Sequence, residues 1–145
     1  MQKIIQKLLL FFTVITLSLP ANADVVKPAL VEVSVFSDGS TFVQIRTSLE
    51  ALLTGINGQY RNTQDAPNSE EYDRYRELGP DELKIVFEDF YAELLDGISL
   101  TADGRKIPLS VSVVDIPPRG YTKVPRTSVI ELAGEIPARA RSLRW

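Results

Sequence analysis

The chain has 145 residues, with 16 basic and 19 acidic side chains and neither histidine nor cysteine. That length fits one domain with its own hydrophobic core, and the lack of cysteine means that the fold rests on packing rather than on disulfides. Without imidazole or thiolate, Ser/His and Cys/His nucleophile systems and the usual zinc, nickel and copper sites are excluded; a net charge of −3 gives no electrostatic footing for nucleic acid.

Residues 1–23 predict an export signal. Lys3 and Lys7 sit without acids ahead of an apolar run over 8–19, and Ala21-Asn22-Ala23 is a small-residue cleavage motif. The run falls short of the ~20 residues that span a bilayer, and Pro20 closes it. Removal of the signal takes two lysines and no acid, leaving 14 basic against 19 acidic groups over residues 24–145, a net −5. The mature protein is expected to start at Asp24 and to work outside the cytoplasm, in the periplasm or on the periplasmic face of the inner membrane.

Beyond Asp24, Val31, Val33 and Val35 alternate with Glu32 and Ser34, and Val43 and Ile45 alternate with Gln44 and Arg46. Period-two patterns on either side of Ser37-Asp38-Gly39-Ser40 predict an antiparallel hairpin over 29–47. Residues 48–53 read as a short helical turn ended by Gly55, and 57–68 as a polar surface loop. Residues 70–78, strongly charged and carrying Tyr72 and Tyr75, read either as a turn of helix or as an ordered loop. Gly79-Pro80-Asp81-Glu82 opens a clear helix, because proline and acids suit a first turn whose amides are free. Leu83, Val86, Phe87, Phe90, Leu94 and Leu95 follow at three- and four-residue spacing to Gly97, so this helix must bury one face.

Strand patterns then return. Residues 98–101 and 107–116, joined by Ala102-Asp103-Gly104-Arg105, predict a second hairpin; Pro117-Pro118-Arg119-Gly120 breaks it. A further strand is expected over 127–133, and Ser142–Trp145 begins another. The whole predicts a mainly β protein, a small antiparallel β-sandwich of immunoglobulin-like kind with one amphipathic helix inserted around residues 80–96. The last strand stops on an aromatic with no polar tail, so either Trp145 closes a sheet edge or the parent polypeptide continues.

Carboxylates are the remaining chemistry. Asp65, Asn68, Glu70, Glu71 and Asp73 form an oxygen-rich group, but their spacing lacks the alternating ligands and glycine of an EF-hand, so a solvated loop is expected. Glu82, Asp89, Glu93 and Asp96 read as the polar face of the helix rather than as a catalytic dyad. No catalytic residue, metal ligand or cofactor is expected. The residues best suited to recognition are Tyr60, Arg61, Tyr72, Arg74, Tyr75 and Arg76, since tyrosine and arginine are enriched where proteins bind one another. Residues 117–125, with Arg119, Tyr121 and Lys123, form a weaker candidate of the same kind.

The Lys-Pro-Ala-Leu-Val-Glu-Val strand (27–33), the Asp-Gly turn, the Ile-Arg-Thr-Ser-Leu-Glu-Ala-Leu-Leu-Thr-Gly-Ile stretch (45–56) and the Arg-Ala-Arg-Ser-Leu-Arg-Trp segment (139–145) carry a resemblance. Together they are similar to the extracytoplasmic N-terminal region of HupE/UreJ-like membrane proteins. In that family the region precedes a bundle of transmembrane helices, and members are associated with nickel or cobalt handling. The resemblance implies a non-catalytic domain beside a membrane-embedded transporter portion or an envelope protein, acting through protein contacts or as a structural cap. The family's histidine-containing transmembrane motif has no counterpart here, so metal transport carries over to no residue of this chain. The alternative is a free periplasmic binding or adaptor protein, complete at residue 145.

Overall fold

A computed structural model describes residues 25–121 and 124–145. The predicted signal over 1–23 lies outside the described residues. Strand β1 (Leu30–Val35) and strand β2 (Ser40–Thr47) form the expected hairpin, pairing Val33 with Val43 and Val31 with Ile45. Its turn is held by Asp38, whose carboxylate accepts from the Ser40 amide at 2.9 Å and the Ser40 hydroxyl at 2.7 Å. Gly39, at φ 93°, supplies the left-handed residue, and its carbonyl receives the Ile136 amide at 2.8 Å.

Four α-helices follow: α1 (Leu49–Thr54), α2 (Ser69–Glu77), α3 (Pro80–Asp89) and α4 (Tyr91–Gly97), with a 3₁₀ turn over Thr63–Asp65. Ser48 caps α1 by accepting the Ala51 amide, and Gly55 ends it in the left-handed conformation at φ 68°. The charged stretch expected as a helical turn or a loop is a full helix, α2. The long helix expected around residues 80–96 is two helices. At Phe90 the amide bonds the Phe87 carbonyl, three residues back instead of four, and the axis breaks there. Both halves keep the apolar spacing, so Leu83, Phe87 and Leu94 are all buried.

Strands β3 (Thr101–Ala102) and β4 (Arg105–Lys106) flank the Asp103-Gly104 turn, followed by β5 (Ser110–Asp115), β6 (Ser128–Glu135) and β7 (Leu143–Arg144). The second predicted hairpin is therefore split. Pro108 interrupts the ladder after β4, and β5 pairs with β6 instead. Two antiparallel sheets result, one of four strands in the order β1-β2-β6-β5 and one of three in the order β4-β3-β7.

The direct register places Val31, Val43, Ile45, Ile130, Leu132, Val111 and Val114 on one face of the large sheet. That face meets Leu83 and Phe87 of α3, Leu94 of α4, Leu49 of α1, and Leu100, Ala102 and Ile107 from the small sheet's region, in one core. The opposite face carries Glu32, Gln44, Arg46 and Glu131, tied by Arg46 to Glu32 at 3.3 Å and to Gln44 at 2.6 Å. The layer opposite the main sheet is thus largely helical. The architecture is sandwich-like but mixed α/β, with helix and strand in roughly equal amounts, which corrects the expectation of a mainly β protein with a single helix.

A satellite core of Val26, Ala51, Ile56, Ala66 and Tyr72, with Tyr60 against it, lies behind α1 and α2. Helix α1 joins the two, since Leu49 belongs to one and Ala51 to the other. At the far end of β6, Gly134 is crossed by residues 107–109: a Cβ there would lie 2.8 Å from Leu109 Cδ2 and 2.9 Å from the Pro108 carbonyl oxygen.

Candidate functional site

The tyrosine and arginine side chains singled out in the sequence are brought near one another but do not share a surface. Tyr72 is fully buried in the satellite core, and Arg76, 5% exposed, lies over its ring at 5.3 Å and donates to its hydroxyl at 3.3 Å. Tyr60 is half-buried against the same cluster. Arg74 is exposed, over the Tyr75 ring at 5.3 Å and paired with Glu71 at 2.8 Å. Tyr75 packs on the main core and donates its hydroxyl to the same Glu71 oxygen at 2.9 Å; burial, then that bond, raises its pKa above the ordinary phenol value. Arg61 is exposed. In α2, side chains four residues apart lie on one face, so Tyr72 and Arg76 point inward together. A partner could reach Arg61 and Arg74, with Tyr60 and Tyr75 in part.

Three members of the oxygen-rich group are engaged in local bonds, while Asp65 and Glu70 are exposed. Asp73 accepts from Gln64 at 2.8 Å, Asn68 donates to the Thr54 carbonyl at 3.0 Å, and Glu71 holds Arg74 and Tyr75. Glu82 reaches back to the Gly79 amide at 2.9 Å and caps α3, while Asp89, Glu93 and Asp96 are exposed. No group of three or more acidic side chains is positioned to hold a metal among the described residues. In the weaker candidate, Arg119 donates to the Glu77 carbonyl at 2.8 Å and Tyr121 is exposed; Lys123 lies outside the described residues.

The most strongly constrained polar group is one that the sequence did not single out. Arg126, just ahead of β6, bonds Glu50 of α1 through Nε at 2.5 Å and gives Nη2 to the carbonyls of Tyr75 and Leu78 at 3.1 and 3.0 Å. The two side chains are 8% and 1% exposed. Ser48 donates to the second Glu50 oxygen at 2.8 Å. One guanidinium thus ties α1, the end of α2 and the approach to β6, and the pair is largely removed from solvent. The only signal in the sequence was an acid at position 50 amid apolar residues; its partner lies 76 positions away.

Beside this clamp is an open pocket of about 260 Å³ lined by Lys27, Pro28, Leu30, Arg46, Thr47, Ser48 and residues 124–127. Two of its three cations are already matched, Arg126 by Glu50 and Arg46 by Glu32.

The third feature is at the small sheet. The Asp103 carboxylate accepts from the amides of Arg141 and Ser142 and from the Ser142 hydroxyl at 2.9 Å, and its own amide bonds the Ser142 carbonyl at 3.0 Å. The Ser142 hydroxyl bond foremost, then the Arg141 amide, lowers the Asp103 pKa below its ordinary value. This latch seats β7 on β3 and leaves Leu143 and Trp145 exposed beside Arg139, Arg141 and Arg144.

Fold and site together define a two-layer α/β protein with helices on one face of an antiparallel sheet and a latched strand at one end. No family model, curated protein or solved structure matches the chain.

Proposed function

We propose that residues 24–145 form the non-catalytic extracytoplasmic domain of a HupE/UreJ-like membrane protein and act through protein contacts or as a structural cap. The observation that carries the reading is the latched strand β7. An exposed leucine and the chain's single tryptophan lie at the surface next in sequence to the latched Ser142 and among three arginines, and tryptophan and arginine are enriched at the centres of protein interfaces. The sequence resemblance over residues 27–56 and 139–145 supports the address. Of the acidic side chains considered for chemistry, Glu71, Asp73 and Glu82 serve an ion pair, a loop bond and a cap, and Asp89, Glu93 and Asp96 lie exposed on the helices, which supports a contact role over an enzymatic one. Among the described residues no helix is long and apolar enough to cross a membrane.

The test is the size and fractionation of the native gene product, followed with an antibody against residues 24–145. A band well above 16.2 kDa in the membrane fraction, with Asp24 as its N-terminal residue, is the expected result. A small band released with the soluble periplasm would sink this reading in favour of the free adaptor.

A further inference from the structure

The four-stranded sheet ends on one side at β5 and on the other at β1, and the two edges differ in kind. Strand β5 carries a register shift between Val111 and Val113, with Pro108 before it and Pro117 and Pro118 after it. Bulges and prolines are the means by which proteins keep a sheet edge from pairing. Strand β1 has one such proline, Pro28 ahead of Leu30, but no register shift and no proline directly after it. Its pairing with β2 runs unbroken over six residues, it contains no proline or lysine, and Leu30, Val33, Val35 and the adjoining Phe36 are exposed, Val33 at 39% and Phe36 at 53%.

The hydrogen-bond phase of this edge follows from the hairpin. The Phe36 amide bonds the Ser40 carbonyl and the Phe36 carbonyl receives the Gly39 amide, so the backbone polar groups of residue 36 point toward β2. Alternation along the strand turns those of residues 34, 32 and 30 the same way and those of Val31, Val33 and Val35 outward. Among the described residues nothing pairs with these outward groups.

From this edge we infer that β1 pairs with β1 of a second copy of the chain, antiparallel and centred on Val33, to make one continuous eight-stranded sheet. A twofold axis normal to the sheet keeps both helical layers on one side and permits only registers in which opposed residue numbers sum to an even value. Centring on Glu32 sets two carboxylates directly opposite each other, which is unfavourable. Centring on Val33 opposes Val33 to Val33, Val31 to Val35, Glu32 to Ser34 and Leu30 to Phe36, with no like charges and every outward amide and carbonyl of the strand paired. The same register closes Val33 and Val35, which the helices leave uncovered, against the valines of the second copy. The occupant fits the edge in hydrogen-bond phase, in charge and in apolar content, independently of the role proposed for β7.

The test uses the protein produced from its full sequence and purified as the cell delivers it. Sedimentation equilibrium is expected to give twice the monomer mass as concentration rises, and Val33→Pro, which removes one outward N–H at a position where an edge strand tolerates proline, is expected to give a folded monomer. Val33→Cys supplies a readout that does not depend on that variant folding. The chain has no other thiol. Hydrogen-bonded antiparallel partners have Cα atoms about 5.5 Å apart, within disulfide range, so mild oxidation should cross-link Val33→Cys to its own copy. Val35→Cys should remain uncross-linked, its two copies being about 14 Å apart in this register. A monomer at every concentration up to about 1 mM, or a dimer in which Val35→Cys cross-links as readily as Val33→Cys, overturns the inference.

Discussion

Arg126 shows how one side chain can decide the packing of three segments. Its guanidinium faces a carboxylate that is 1% exposed, so deleting it strands a buried charge. Arg126→Met is therefore expected to lower unfolding free energy by about 3–5 kcal/mol, measured by urea denaturation. Adding Glu50→Gln should recover part of that loss, although the Tyr75 and Leu78 carbonyls stay without their donor. If the single substitution costs no more than a surface ion pair, the clamp is not what holds α1. Gly134 is the complementary case, where an added methyl rather than a lost charge is the problem. Its Cβ would meet the Pro108 carbonyl and Leu109 at under 3 Å, so Gly134→Ala should destabilise by about 1–3 kcal/mol. Gly97→Ala, with open space around it, serves as the control for Gly134→Ala.

At the scale of elements, one ionised group, Asp103, adds three side-chain-mediated contacts to the backbone pairing that attaches β7 to β3. Asp103 has a depressed pKa in the folded protein because its carboxylate collects the Ser142 hydroxyl and two backbone amides. A carboxylate with a lowered folded pKa contributes stability that is present above its unfolded pKa and is lost as pH falls through the folded value. The latch should hold at neutral pH and release below the ordinary aspartate value of 3.8. Trp145 is the only tryptophan, so its emission should report the release directly. Asp103→Asn should abolish that pH step while leaving the circular dichroism of the rest unchanged; persistence of the step would assign it to another group. Asp38 is depressed in the same direction by the Ser40 hydroxyl and amide, and its hairpin turn is expected to loosen in the same acid range.

For the molecule as a whole, the two cores share α1 through Leu49 and Ala51, and the Arg126 clamp crosses from that helix to the main sheet. Unfolding should be one cooperative transition, with tryptophan emission and far-ultraviolet circular dichroism giving coincident midpoints that do not move on adding a reductant. Two separated transitions would show that the satellite core melts alone. Hairpin β1–β2, the Gly55 stop of α1, the Gly-Pro start of α3, strand β6 and the inward face of Leu83, Phe87 and Leu94 were legible in the sequence. Each is dictated by residues within a few positions of one another: a period of two, a period near 3.6, or an Asp-Gly or Gly-Pro punctuation mark. The candidate site was far less legible, because Tyr72 and Arg76 look the same in a sequence whether they face water or a core. The large sheet's order was not legible either. Strand β5 pairs with its successor β6 and not with β4 before it, and β6 pairs in turn with the distant β2; the crossing of residues 107–109 over the bare backbone of Gly134 likewise depends on two segments meeting in space. What the sequence by itself determined is local: the first hairpin, the start of α3 and the strongly periodic strands and helix face, and that no imidazole or thiol chemistry is present. Only the tertiary structure decided that the layer over the main sheet is helical, that Glu50 and Arg126 are a sealed pair, and that β1 is the unguarded edge. These outcomes depend on burial and on pairing between distant positions, which no short window of residues contains.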